Sequence, residues 1–161
     1  MNLKEISIFG NVLKSREIFA VVSKSELFRD ITYWEWRRIE SVMHERVYHK
    51  EEIVFSQGEE GLGLYVVVSG SIQFTSVIDG VHKEVGRTTA GHAFGELSII
   101  DGRERTLTAL ALEDSKLVGF FKPDLMRLLE AEPKIAAKFC FRVAELACRR
   151  LREGMEKVLK K

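Results

Sequence analysis

Glu96 and Arg105 stand nine residues apart in the stretch Phe94-Gly95-Glu96-Leu97-Ser98-Ile99-Ile100-Asp101-Gly102-Arg103-Glu104-Arg105-Thr106. One acidic side chain and one guanidinium flank a short apolar turn that has glycines at both ends. A carboxylate accepts a hydrogen bond from a sugar hydroxyl, and a guanidinium takes a phosphate through two parallel, charge-assisted bonds. Glycine permits the tight turn, so the backbone N–H groups around Gly95 and Thr106 are free to approach an anion closely. The chemistry this segment suits is capture of a small ligand that carries both a ribose hydroxyl and an anionic phosphate.

Three zones position that segment. The first, roughly residues 1–43, is helical in character. Thr32-Tyr33-Trp34-Glu35 has the form of a capping box, with Ile31 and Trp36 at the staple positions. The helix it opens is expected to run to about Met43 and to bury Trp36, Ile39 and Met43. Residues 1–22 hold a further apolar-periodic stretch with Ile8, Val12 and Phe19, interrupted by Gly10, and are expected to form a helical extension. The second zone, about 47–121, changes to short β-rich runs: Ile53–Phe55, Leu64–Val68, Ile72–Val77, Leu107–Leu112 and Leu117–Phe121. Turn pairs punctuate them, and Asp79-Gly80 is a hairpin signal because a type I′ turn needs positive φ at both central residues. Seven or eight short strands at this spacing predict a sandwich or barrel. The third zone, from Pro123 to Lys161, is helical again, with Pro123 and Pro133 each suited to a first turn.

The last helix carries two apolar stripes. Ala137, Phe141, Ala144, Cys148, Leu151, Met155 and Val158 follow steps of 4 and 3, a heptad pattern. Ile135, Phe139, Val143 and Leu146 lie partly round the helix. One stripe is expected to pack on the β zone and the other on a second subunit, giving a homodimer. Arg149, Arg150, Arg152, Lys157, Lys160 and Lys161 are interleaved with Glu145, Glu153 and Glu156, which reads as a solvated, salt-bridged face.

The order Phe-Gly-Glu-Leu…Arg-Thr resembles the phosphate-binding cassette of cyclic nucleotide-binding domains, the family of catabolite activator proteins, kinase regulatory subunits and cyclic nucleotide-gated channels. Gly58 and Gly70, flanking Leu64–Ser69, resemble the two turn glycines of that family's β-roll. The resemblance covers about residues 25–159 and implies a mainly β fold with flanking helices. That fold is a double-stranded β-helix, or jelly-roll-like β-roll, with N-terminal helices and two closing C-terminal helices. In these terms 1–22 is an extension and 23–161 the domain, with the roll at about 45–122 and the closing helices at about 123–160. The resemblance implies that Glu96 bonds the ribose 2′-hydroxyl, that Arg105 pairs with the cyclic phosphate, and that Gly95, Leu97 and Thr106 complete the site. The implied ligand is cyclic AMP or cyclic GMP, with the Thr106 hydroxyl a reason to test the latter. Leu107 stands where the family commonly has alanine, and so does Ser98. The competing reading is therefore an internal Glu96–Arg105 ion pair in a roll that binds no nucleotide and serves as a dimeric interaction module. A relative of a transcription regulator that does not bind DNA is a further form of it.

Other function classes are weaker. The net charge of +1 gives no global attraction to nucleic acid or anionic lipid. No apolar run approaches the length of a membrane span. His44, His49, His82 and His92 lack the paired spacing of a metal site, so no metal is expected. No catalytic grouping has a local motif, so the expectation is not an enzyme. Cys140 and Cys148 sit about 12 Å apart along one helix, too far to bridge. A reduced, cytoplasmic chain is expected. No sequence remains after the last helix for a helix-turn-helix, so direct DNA binding is not expected, and the signal is expected to pass to an unknown protein partner by movement of the C-terminal helices.

Overall fold

The computed structural model describes residues 15–160. Ile8, Gly10 and Val12 lie outside the described residues. A helix over 15–22 (α1) is followed by α2, Tyr33–Glu40. The capping box at its start is present: the Glu35 N–H donates to Thr32 Oγ1 and the Thr32 N–H to Glu35 Oε2 at 2.9 Å. Trp36 and Ile39 are buried as expected, but α2 ends at Glu40 rather than near Met43. The reason is the strand that follows. Val42 and Met43 close short turns onto Ile39 and Glu40, and His44 must be extended to pair with Gly119.

Eight strands follow: β1 His44–Tyr48, β2 Ile53–Phe55, β3 Gly63–Ser69, β4 Ser71–Ile78, β5 Val81–Thr89, β6 Ala93–Phe94, β7 Thr108–Ala111 and β8 Ser115–Phe121. A short helix, α3, spans Glu96–Asp101 between β6 and β7. The strands form two antiparallel sheets, β1-β8-β3-β6 and β2-β7-β4-β5. Asp79 and Gly80 both have positive φ (52° and 76°) and join β4 to β5, so the hairpin forms where the sequence placed it. β5 escaped the sequence reading because it is nearly all exposed and polar, and β6 because it has two residues. These findings bear out the β-roll.

The sheet β1-β8-β3-β6 separates two cores. Tyr65 and Val67 of β3 point into the roll with Phe55, Ile72, Phe94, Ala109 and Leu117. Leu64 and Val66, on the other face of the same strand, pack against Trp36, Phe28, Phe139 and Leu125 under the helices. A strand buried on both faces explains the unbroken apolar run at 64–68. α4, Lys122–Ala131, and α5, Pro133–Leu159, close the fold, each with its proline in the first turn. Ile135, Phe139, Val143 and Leu146 are the buried stripe of α5; the heptad stripe is outside the core, with Phe141, Leu151, Met155 and Val158 62%, 65%, 56% and 73% exposed.

Candidate functional site

The turn at Gly58 fixes the backbone of Arg105. The Gly58 N–H donates to the Arg105 carbonyl and the Arg105 N–H to the Glu59 carbonyl, each at 2.8 Å, and Glu60 bridges Glu104. This pinning explains why two segments far apart in sequence act as one cassette. Gly95 supplies the other wall as the N-cap of α3, with φ of 75°. The backbone angle favours glycine there, and a β-carbon at Gly95 would lie 2.7 Å from Arg105 Nη1 and displace the guanidinium.

The Arg105 side chain is buried, 6% exposed, and lies over the Phe55 ring with its guanidinium carbon 4.0 Å from the ring centroid. Nη1 donates to the Gly95 carbonyl at 3.0 Å, while Nε has no partner. Burial pushes the guanidinium below its ordinary pKa, with Tyr65, Glu59 and Glu96 acting in the opposite direction. Among the described residues no carboxylate forms an ion pair with it. A buried cation without a counter-ion is unfavourable, and a bound anion relieves it.

Glu96 is also buried, 3% exposed, but its partner is Arg150 of α5 and not Arg105. Arg150 Nη1 donates to Glu96 Oε2 and Nη2 to the Ala93 carbonyl at 2.6 Å. The internal Glu96–Arg105 pair is therefore absent. Sequence reasoning placed Arg150 on a solvated helix face. Its neighbour Arg149 fits that description, pairing with Glu26 and Glu153. The signal that identifies Arg150 is its position four residues after Leu146, which continues the buried stripe 135, 139, 143, 146.

These side chains line a cavity of about 1550 Å³. Gly95, Glu96, Leu97, Arg105 and Thr106 all border it, so the structure brings the five sequence candidates together. Leu97 is about half exposed and Thr106 exposed. Leu107 lines the cavity, half-buried, without filling it, and Ser98 is buried against Gly61. Phe55, Ala109, Phe74 and Gly86 stand in register across the four strands of one sheet, and three of them line the floor. α5 forms another wall through Ala147, Cys148, Arg150, Leu151 and Gly154. Among the described residues no cluster of His, Cys, Asp and Glu is built to hold a metal, and no helix is long and apolar enough to cross a membrane.

Residues 45–132 match the cyclic nucleotide-binding domain family. The chain is 33% identical over 131 residues to a cyclic AMP receptor protein of Thermus thermophilus, covering 81% of this chain and 59% of that one. It is 31% identical over 94 residues to a cAMP-dependent protein kinase regulatory subunit of Mycosarcoma maydis, covering 56% of this chain and 18% of the relative. The chain thus spans less than two thirds of either relative. Among solved structures, a cyclic nucleotide-binding domain from Methylobacillus flagellatus superposes with a TM-score of 0.81 at 26% identity, covering 91% of this chain and 83% of that one. The Thermus thermophilus catabolite activator protein superposes at 0.75 with 30% identity, over 83% and 61% of the two chains.

Proposed function

The chain belongs to the cyclic nucleotide-binding domain family, and from that premise we propose that it is a sensor that binds a cyclic nucleotide in the cavity beneath α5 and signals through that helix. The phosphodiester goes to Arg105 and the ribose 2′-hydroxyl to Glu96. The observation that carries this reading is the buried Arg105 guanidinium, which faces the cavity with an unpartnered Nε and no ion-paired carboxylate among the described residues. Cyclic AMP is the first ligand to test, since two relatives are named for it; cyclic GMP is the second.

Arg150 supports the signalling half of the proposal. It joins α5 to the carboxylate that the ribose would engage. A ligand moves α5 only by the difference in its affinity for two positions of that helix. The exposed heptad stripe is proposed as the contact with a second copy, and a protein partner reads the helix movement. Calorimetric titration with cyclic AMP and cyclic GMP, with linear AMP as control, tests the binding. Micromolar or tighter binding of a cyclic form that disappears in Arg105→Ala is expected. Flat traces with both cyclic forms would defeat the proposal.

A further inference from the structure

We propose that Phe55 is a positioning residue for the phosphate: its ring holds the Arg105 guanidinium by the face before any ligand arrives, and leaves the donors and the positive charge for the anion. This rests on the nucleotide-binding reading above. A buried arginine must be held by something. A carboxylate would hold it most strongly, but would take its donors and cancel its charge, so that an incoming phosphate would have to compete. An aromatic face holds it differently. The N–H donors of a guanidinium all lie in its plane, so its two faces carry none, and the group is more weakly hydrated than an ammonium. The negative face of the ring attracts the cation while the in-plane donors stay free.

The fold contains this second arrangement. The Arg105 guanidinium carbon lies over the Phe55 ring, 4.0 Å from its centroid. Of the donors, Nη1 goes to the Gly95 carbonyl at 3.0 Å and Nε has no partner. The ring is itself fixed. Phe55 is 9% exposed, and the rings of Tyr65 and Phe94 pack on it with centroids 6.2 and 5.9 Å away. Phe94 leads directly into Gly95 and Glu96, and the edge of the Phe55 ring also reaches Gly95, where a β-carbon would lie 3.5 Å from Phe55 Cε1. One short segment therefore fixes both halves of Arg105. Phe55, paired with Ala109 at the end of β2, fixes the side chain; the turn that follows, at Gly58 and Glu59, fixes the backbone. The phosphate then meets a guanidinium that is already ordered, and the cost of immobilising a long side chain is not charged to binding.

The test joins a spectroscopic readout to affinity in the full chain. Phe55→Leu keeps an apolar side chain in the roll and removes the ring. In ligand-free, isotope-labelled protein the Arg105 Nε–H resonance is identified by its absence from Arg105→Met. It is expected to be shifted upfield by the ring current and to exchange slowly with water, and to lose both properties in Phe55→Leu. Cyclic AMP affinity is expected to fall by about two- to tenfold in the same variant, the factor for immobilising one long side chain on binding. Phe55→Tyr, which keeps the ring, is expected to retain the resonance and the affinity. Val67→Ala removes volume from the same core at a residue that does not line the cavity, and is expected to bind as the wild type does. An Arg105 resonance or a cyclic AMP affinity that is unchanged in Phe55→Leu overturns the proposal. So does an equal loss of affinity in Val67→Ala, which would make Phe55 a core residue and nothing more. Wild-type protein that binds no cyclic nucleotide overturns the binding reading itself, and the positioning role falls with it.

Discussion

Replacing Arg105 by methionine is expected to remove cyclic nucleotide binding while leaving folding stability nearly unchanged. The structure supplies both halves of the estimate. In the ligand-free fold the side chain gains one charged hydrogen bond to Gly95 and a contact with the Phe55 ring. Against these stand a buried cation and an Nε without a partner, whose desolvation alone costs about 1–3 kcal/mol. A cation–π contact contributes about 0.5–2 kcal/mol and the charged hydrogen bond about 1.5–3 kcal/mol, and the penalty at Nε together with desolvation of the cation itself offsets most of that gain. Apolar replacement of buried charges is often neutral for the same reason. Binding has no such offset. Two charge-assisted bonds to a phosphate, at about 1.5–3 kcal/mol each, amount to about 3–6 kcal/mol. At about 1.4 kcal/mol per tenfold, Kd should rise by two to four powers of ten. Calorimetric titration reads the first quantity and urea unfolding the second. A change in Kd below about tenfold would refute the assignment of Arg105 to the phosphate. A stability loss near 3 kcal/mol would show instead that Arg105 is a structural cation.

Further outcomes follow from the same geometry. Arg150→Ala leaves the Glu96 carboxylate buried without its ion partner; because Arg150 is itself 38% exposed, a loss of about 1–3 kcal/mol is expected in urea unfolding, below the range for fully buried pairs. Thr32→Ala should cost about 1 kcal/mol at neutral pH through the lost cap. Hydrogen bonds from Lys138 and Thr32 hold the Glu35 carboxyl below its usual pKa. Its stabilisation is therefore present above the unfolded-state value and lost as pH falls through the folded one, so the penalty of Glu35→Gln should shrink in acid. Phe141→Glu, on the exposed heptad face, should yield a folded monomer by sedimentation; a dimer that persists would remove that face as the proposed seam.

Most of the roll was legible because its strands alternate or run apolar between turn residues with positive φ, as at Asp79-Gly80. The cassette was legible because Glu96, Arg105 and the glycines lie within one short segment. What was missed is long-range or chemically plain. β5 offers no apolar period, since its outer residues face water and its pairing with β4 is a backbone matter. Arg150 is separated from Glu96 by 54 residues, and only the continued spacing of the buried α5 stripe marks it. The role of Gly58 in pinning Arg105 is likewise a backbone contact between distant turns.

The distribution of charge in the cavity bears on which phosphate it accepts. Glu96 is neutralised by Arg150, so the buried end presents one uncompensated cation, Arg105; Lys24 and Lys157 also border the cavity but are exposed and solvated. A cyclic phosphodiester brings one negative charge and matches that cation. A linear phosphomonoester carries about −1.5 to −2 near neutral pH, with a second pKa near 6. Its additional charge would have to be desolvated beside the Glu96 carboxylate, which is unfavourable. Discrimination against linear AMP should then depend on the ligand's own proton. As pH falls through about 6, AMP becomes a monoanion and its weak affinity should rise, while that of the cyclic form stays level. Titrations with both ligands from about pH 8 to about pH 5 would decide it. An AMP affinity that is flat, or that falls with acid, would mean that shape and not charge excludes the linear nucleotide.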